Sequence, residues 1–140
     1  MKMKLKEAQA RLQNLAKLGT KTFPAKLSFA ISCNIEKLQK EAEHIEKERK
    51  KLCEQYADKD DDGKPVMVDS VLNGVESKEY KMDAAARAAF GEEYDSLLDT
   101  EVDVNIRMAK TEVVEQCERA DRYDIPTVAE LLALAFMLEE

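Results

Sequence analysis

Apolar residues recur along the first part of the chain at the spacing of an α-helix. Four of them fall at intervals of three and four residues, which predicts a first helix over residues 3–18. They are Leu5, Ala8, Leu12 and Leu15. Gly19 is suited to the position just after a helix, and the linker to Phe23 is short. We therefore expect the next helix to fold back beside the first.

A second, much longer helix is predicted from Pro24 to about Tyr56. Its apolar seam alternates steps of four and three residues, which is coiled-coil spacing. The seam comprises Ile31, Ile35, Leu38, Ala42, Ile45, Arg49, Leu52 and Tyr56. Such a helix is about 48 Å long, whereas a compact domain of this size is roughly 37 Å across. The first helix can cover only about half of the seam, so the far half is a candidate interaction site. Its residues are Ile45, Arg49, Leu52 and Tyr56.

Beyond Gly63 the apolar positions change to the alternation typical of β-strands. Short strands are predicted over residues 65–68, 79–82 and 102–106. Asn73-Gly74 lies between the first two and is a strong turn signal. The three strands together predict a small antiparallel sheet against the helices.

The remaining elements are predicted to be helices. Asp83 can cap a helix over Ala84–Leu98, and Thr111 can cap a short helix that reaches about Ala120. Residues 127–130 form a capping box that opens a last helix. Residues 131–138 are apolar on every side, so this helix either fills the core or turns one side to a partner. The core is favoured, because the rest of the chain needs something to pack around.

These elements together predict an α+β fold, mainly α. It consists of a long helical hairpin, a coiled-coil-like arm, with a small antiparallel β-sheet and C-terminal helices. At 140 residues the chain is expected to form a single domain over residues 1–140.

Charge divides the predicted domain where the long helix ends. Residues 1–57 carry 13 Lys and Arg against 7 Asp and Glu, a net charge of +6. Residues 58–140 carry 9 against 22, a net charge of −13. The domain is thus expected to combine a basic helical hairpin arm (1–57) with an acidic α+β region (58–140). Two surfaces of opposite sign indicate a binding function without naming the partner.

Catalytic chemistry has no clear basis in the sequence. His44 is the only histidine and lies off the seam between glutamates, so no Ser/His/Asp set can be built. The many carboxylates fall on solvated helix faces or alternating strand positions, where their pKa values would not be separated. We therefore predict that the protein is not an enzyme.

Two classes of partner are also disfavoured. No apolar run approaches the roughly 20 residues of a membrane span, so no membrane partner is expected. Glutamates interleave the lysines of the long helix and neutralise its field, which disfavours a nucleic acid.

An acidic segment after the long helix resembles a calcium-binding loop in spacing. Three aspartates and Gly63 match the early positions of an EF-hand loop, and a fourth aspartate falls at its last position. Pro65 and the short final carboxylate disfavour Ca²⁺, so no cofactor is expected and a solvated turn is preferred. The candidate ligands of the alternative Ca²⁺ site are Asp58, Asp60, Asp62 and Asp69.

The order of several segments along nearly the whole chain resembles a known family. The segments include Phe23-Pro24-Ala25-Lys26-Leu27, Phe90-Gly91-Glu92-Glu93-Tyr94, Leu97-Leu98-Asp99-Thr100-Glu101-Val102 and a final helix from Leu131 to Glu139. The chain is similar to small proteins of unknown function encoded by phages and prophages of Gram-positive bacteria. The resemblance implies a phage gene product in the cytoplasm of a bacterial host, and it implies no site residues.

The function expected from the sequence is therefore non-enzymatic protein–protein interaction. One version is a structural or assembly accessory protein that binds a protein partner or self-associates through Ile45, Leu52 and Tyr56. An alternative is an acidic inhibitor of a host enzyme or defence protein. A further alternative is a Ca²⁺-binding module built on the Asp58–Asp69 loop.

Overall fold

The fold is described by a computed structural model that covers residues 1–140, apart from the side chain of Leu72. Five α-helices form over these residues. They are α1 (Leu5–Ala16), α2 (Ala25–Tyr56), α3 (Ala84–Leu98), α4 (Thr111–Glu115) and α5 (Val128–Leu134). Single 3₁₀ turns follow α4 at Gln116–Glu118 and α5 at Ala135–Met137. The mainly helical α+β class predicted from the sequence is confirmed, and so is the long second helix.

Six short strands accompany the helices. They are β1 (Lys2–Lys4), β2 (Met67–Leu72), β3 (Val75–Tyr80), β4 (Glu101–Asp103), β5 (Ala109–Lys110) and β6 (Leu138–Glu139). They form three separate two-stranded sheets: β1 with β4 and β2 with β3 are antiparallel, and β5 with β6 is parallel. The prediction of one small antiparallel sheet was therefore wrong in its connectivity, because the strand near Val102 pairs with β1 instead of with the β2–β3 hairpin.

Two local signals produce the structures that they predict. Asn73 and Gly74 adopt positive φ angles of 53° and 78° and form the two-residue turn between β2 and β3. The Asp83 side chain accepts a hydrogen bond of 2.7 Å from the backbone N–H of Ala86 and caps α3. Each signal depends only on residues within the same turn.

The capping box at the start of α5 also forms as predicted. The Thr127 hydroxyl accepts a hydrogen bond from the Glu130 backbone N–H, and the Glu130 carboxylate accepts one from the Thr127 N–H. The Thr127 N–H stabilises the ionised carboxylate, which holds the pKa of Glu130 below its ordinary value.

The two ends of the chain differ from the predicted helices. The first helix begins at Leu5, because Met3 is buried between exposed lysines and pairs with Val102 as part of β1. The last helix ends at Leu134, and Leu138 pairs with Ala109 in β6. A segment that is apolar on every side carries no period, so its sequence could not set the end of the helix.

The chain divides into two compact units. Unit 1 comprises Met1–Glu43 and Glu101–Glu140, and unit 2 comprises His44–Thr100. Helix α2 contributes its first half to unit 1 and its second half to unit 2. The charge boundary after residue 57 therefore falls inside unit 2.

The hydrophobic core lies in unit 1. Apolar side chains from α1, α2 and the C-terminal segments form one buried cluster. It contains Met3, Ala8, Leu15, Leu18, Phe23, Leu27, Ala30, Ile31, Leu38, Val104, Ile106, Ala109, Val113, Cys117, Leu134 and Met137. Burial of these residues from distant parts of the chain stabilises unit 1 as a domain with its own core.

One polar side chain is buried within unit 1. Asn34 of α2 is 0% exposed, and its carboxamide forms hydrogen bonds with both the carbonyl and the N–H of Arg107. The amide nitrogen donates to the Arg107 carbonyl at 2.9 Å, and the amide oxygen accepts from the Arg107 N–H at 2.7 Å. Asn34 thus provides the pairing that a neighbouring strand would provide, and it anchors an irregular segment against the long helix.

Candidate functional site

The four predicted interaction residues all lie on the second half of α2, in unit 2. Ile45 is only 2% exposed, so its side chain is not accessible to a partner in this conformation. Arg49, Leu52 and Tyr56 are half-buried. The far part of the predicted seam is therefore largely covered by residues of this chain, and an interface in this unit needs additional residues.

Arg49 is an unexpected residue in an apolar seam, and the structure shows how its charge is accommodated. Its guanidinium forms two hydrogen bonds with the Glu46 carboxylate, at 2.9 and 2.6 Å, in a bidentate pair. The guanidinium holds the pKa of Glu46 below its ordinary value. Because this pair lies within one helix, Arg49 is neutralised locally and is not a free cation for an acidic partner.

Tyr56 lies at the end of α2 beside acidic residues of α3. Burial, a hydrogen bond with the Glu93 carboxylate and repulsion from Glu93 and Glu92 raise the pKa of the Tyr56 phenol. Nearby, Leu52 and Leu97 line a shallow cleft whose rim includes carboxylates. This side of unit 2 offers small apolar areas within an acidic surface.

The acidic loop folds as a tight turn. Asp60 Oδ1 accepts hydrogen bonds of 2.9 Å from the backbone N–H groups of both Asp62 and Lys64. The Lys59 ammonium donates to the carbonyls of Glu54 and Ala57 at the end of α2. The loop residues are thus used to terminate the helix and reverse the chain.

The four candidate Ca²⁺ ligands are not brought together as one site. Asp69 lies in β2 opposite Lys78. Across the residues that the structure describes, no group of three or more His, Cys, Asp or Glu side chains is placed to hold a metal ion. The proposed set of Asp58, Asp60, Asp62 and Asp69 is therefore not supported by its geometry.

Thermal unfolding tests this conclusion directly. We expect melting curves in excess CaCl₂ and in EDTA, at matched ionic strength, to coincide within about 1 °C, because a ligand raises the melting temperature only by binding the native state. A rise in the presence of Ca²⁺ that Asp62→Ala abolishes, without changing the melt in EDTA, would contradict it.

Unit 2 is poor in buried apolar side chains. Among its described residues, the buried hydrophobic side chains are only Ile45, Cys53 and Ala57. None of the side chains of α3 is buried, although Phe90 and Tyr94 stack with their ring centroids 5.7 Å apart. Unit 2 therefore buries little of its apolar surface within the isolated chain.

The β2–β3 hairpin is an exposed part of unit 2 that carries apolar side chains. It forms a sheet of two strands, so each strand has one unpaired edge. Val71 and Val75 near its turn are 68% and 65% exposed. A two-stranded hairpin with uncovered apolar side chains is marginally stable alone, and it offers both backbone and side-chain contacts to a partner.

A second exposed apolar area lies on α5, in unit 1. Leu134 points into the core, whereas Val128 and Leu132 on the opposite face are 76% and 73% exposed. We call this area the α5 surface. It comprises Ile125, Val128, Leu131, Leu132 and Ala135. The sequence favoured the core over a partner for the last helix, and the structure shows a buried face and an exposed face on the same helix.

A cleft of about 380 Å³ in unit 1 contains three cations but is not an open anion site. The Arg107 guanidinium stacks 4.7 Å from the centroid of the Phe29 ring. Lys110 Nζ lies 3.2 Å from the Glu139 carboxylate. Arg107 and Lys110 therefore already have partners within unit 1. The third cation of the cleft is Lys26.

The structure thus defines a mainly helical α+β protein with two exposed apolar areas. Among its described residues, no helix is both long enough and apolar enough to cross a membrane. Comparisons with protein-family models, curated proteins and solved structures found no match to this chain.

Proposed function

We propose that this protein is non-enzymatic and acts by binding another protein through unit 2. The observation that supports the proposal is the uneven distribution of the core. Unit 1 contains a large buried cluster, whereas unit 2 buries three apolar side chains among its described residues. Docking of a partner on unit 2 would bury the exposed valines and the half-buried residues around Leu52 and Tyr56.

The biological setting that we propose is a bacteriophage. The sequence resembles small phage and prophage proteins of Gram-positive bacteria, so a structural or assembly accessory role in the host cytoplasm is our primary proposal. In this role the hairpin edge and its apolar side chains would add to a partner's sheet or groove.

A second candidate function is inhibition of a host enzyme or defence protein. Unit 2 carries 15 Asp and Glu against nine Lys and Arg, a net charge of −6, which leaves unit 1 with −1. This concentration of negative charge favours a basic partner surface, since complementary charge speeds association.

Capture from an extract of phage-infected host cells tests the primary proposal. The immobilised wild-type chain should retain a host or phage protein, and the immobilised Val71→Asp variant should not retain it. Because Val71 is exposed, this substitution should leave the fold intact. Ala10→Asp introduces the same charge at an exposed position of α1 in unit 1 and should retain the partner. A partner lost equally with both variants, or with neither, would contradict docking on the hairpin.

Salt distinguishes the two candidate functions. A complex held by apolar contacts and strand pairing should persist at high salt, whereas a complex formed by the acidic surface should weaken steeply as salt rises. The captured protein can then be purified and its binding measured at two ionic strengths against wild type and Val71→Asp.

A further inference from the structure

We propose that a second copy of this chain docks on the α5 surface, so that the protein is a homodimer with a two-fold axis parallel to α5. This proposal concerns unit 1 and does not depend on the partner proposed for unit 2. It replaces the self-association through Ile45 that the sequence suggested, since Ile45 is buried.

The apolar side of the α5 surface is continuous. Val128, Leu131, Leu132 and Ala135 are spaced as neighbours along one face of the helix and its final turn. Ile125 precedes the helix and lines the same depression as Leu131. A helix that only sealed the core would carry polar residues at these outward positions. Scattered exposed aliphatic residues are ordinary, but a contiguous set is typical of an interface.

Two depressions flank the α5 surface and provide space for side chains of a second copy. One lies beside α1, has a volume of about 280 Å³ and is lined by Leu18, Ala129 and Ala133 among others. The other lies beside α4, has a volume of about 290 Å³ and includes Val114 and Leu138. A central row with a depression on each side suits the interdigitation of two like surfaces.

Charge differs between the two sides. The depression beside α1 includes Lys17 and Glu130, and the Glu130 carboxylate already lies 3.9 Å from Lys21 Nζ and accepts a hydrogen bond from the Thr127 N–H. The depression beside α4 includes Glu115 and Glu118. Lys17, Glu115 and Glu118 are exposed residues, and within the described part of the chain none of them forms a salt bridge. The unpaired charge is therefore positive on one edge of the surface and negative on the other, with apolar residues between them.

This arrangement is self-complementary in one orientation only. A two-fold axis parallel to α5 places Lys17 of each copy against Glu115 and Glu118 of the other. An axis perpendicular to α5 within the interface would oppose lysine to lysine and glutamate to glutamate, which is unfavourable. The contact uses the same patch on both copies, so it closes as a dimer and does not extend into a filament.

Sedimentation equilibrium of the full chain tests whether the dimer exists. We expect wild type to dimerise with a dissociation constant on the order of 1 μM, and Leu132→Asp to be monomeric at the same concentrations. Val71 is an aliphatic residue of unit 2 with a similar exposure, so the Val71→Asp variant serves as the control and should retain the mass of a dimer. Circular dichroism confirms that both variants are folded. A wild-type monomer at concentrations up to about 100 μM would overturn the proposal.

Charge exchange tests the orientation of the axis. Lys17→Glu should weaken the dimer about tenfold, as should Glu115→Lys with Glu118→Lys, because each change places like charges together. The triple variant should recover wild-type affinity. If Lys17→Glu and the Glu115→Lys, Glu118→Lys variant both leave the affinity unchanged, the two edges do not face each other and the proposed axis is wrong, because a perpendicular axis only replaces one like-charge pair with another. If the α5 surface binds only a different protein and never a second copy, the proposal is also overturned.

Discussion

Replacing Asn34 with alanine should lower the free energy of unfolding by about 3 kcal/mol. The Asn34 carboxamide is fully buried and forms both hydrogen bonds with the Arg107 backbone, at 2.9 and 2.7 Å. Alanine leaves the N–H and the carbonyl of Arg107 without this partner and removes packing against the core. Urea unfolding followed by circular dichroism measures the loss.

Two variants show whether this loss comes from the Arg107 contact. Asn14→Ala, at an exposed position of α1, should change the free energy by less than about 0.5 kcal/mol. Asn34→Asp keeps the acceptor but loses the donor and buries a charge, so it should be strongly destabilising at neutral pH. Its penalty should decrease on acidification, because a protonated carboxyl can both donate and accept. An Asn34→Ala variant as stable as Asn14→Ala would contradict the role of this contact.

The hydrogen bonds of Asn34 with Arg107 could not be predicted from the residues that surround Asn34 in the sequence. Its position does fit a helical spacing of four, three and four residues, formed by Leu27, Ile31, Asn34 and Leu38. This spacing indicates that Asn34 lies on a buried face of the helix, but it does not indicate what the side chain contacts. The hydrogen-bond partner lies 73 residues away. No local rule indicates which distant backbone will satisfy a buried amide.

Most features that depend on neighbouring residues were predicted well, although the predicted Thr111 cap was wrong, since α4 begins at Thr111 and Lys110 is its N-cap residue. The Asn73-Gly74 turn, the Asp83 cap and the Thr127–Glu130 capping box all form within four consecutive residues. The backbone angles and hydrogen bonds of such features are determined by the chemistry of those residues.

Features that depend on a distant partner were missed. Strands β1 and β6 contain three and two residues, and each becomes a strand only through pairing with a segment far along the chain. The burial of Ile45 is of the same kind, because its seam position indicates an apolar contact but not which residues provide it. The α5 surface could be seen in the sequence only as a wholly apolar helix, since the sequence does not show which side faces the core.

Helix α5 contains both a buried and an exposed leucine, and replacing each with alanine should have very different effects on the free energy of unfolding. Leu134→Ala should lower the free energy of unfolding by about 3 kcal/mol, because Leu134 is 0% exposed and its loss leaves a cavity in the core. Leu132→Ala, two residues earlier in the same helix, should cost less than about 0.5 kcal/mol in the monomer, because Leu132 is 73% exposed. Alanine is a better helix former than leucine, so neither change is expected to lose stability through helix propensity, and the difference between them reports burial.

The comparison must be made at protein concentrations where sedimentation shows monomers, since dimer formation would add a concentration-dependent term to stability. Above the dissociation constant of the proposed dimer, Leu132→Ala should lose this term, whereas Leu134→Ala should keep the dependence on concentration. Equal losses for both variants in the monomer would mean that Leu132 is buried within a single chain. In that case the outward face of α5 would be part of the core, and its apolar character would need no partner.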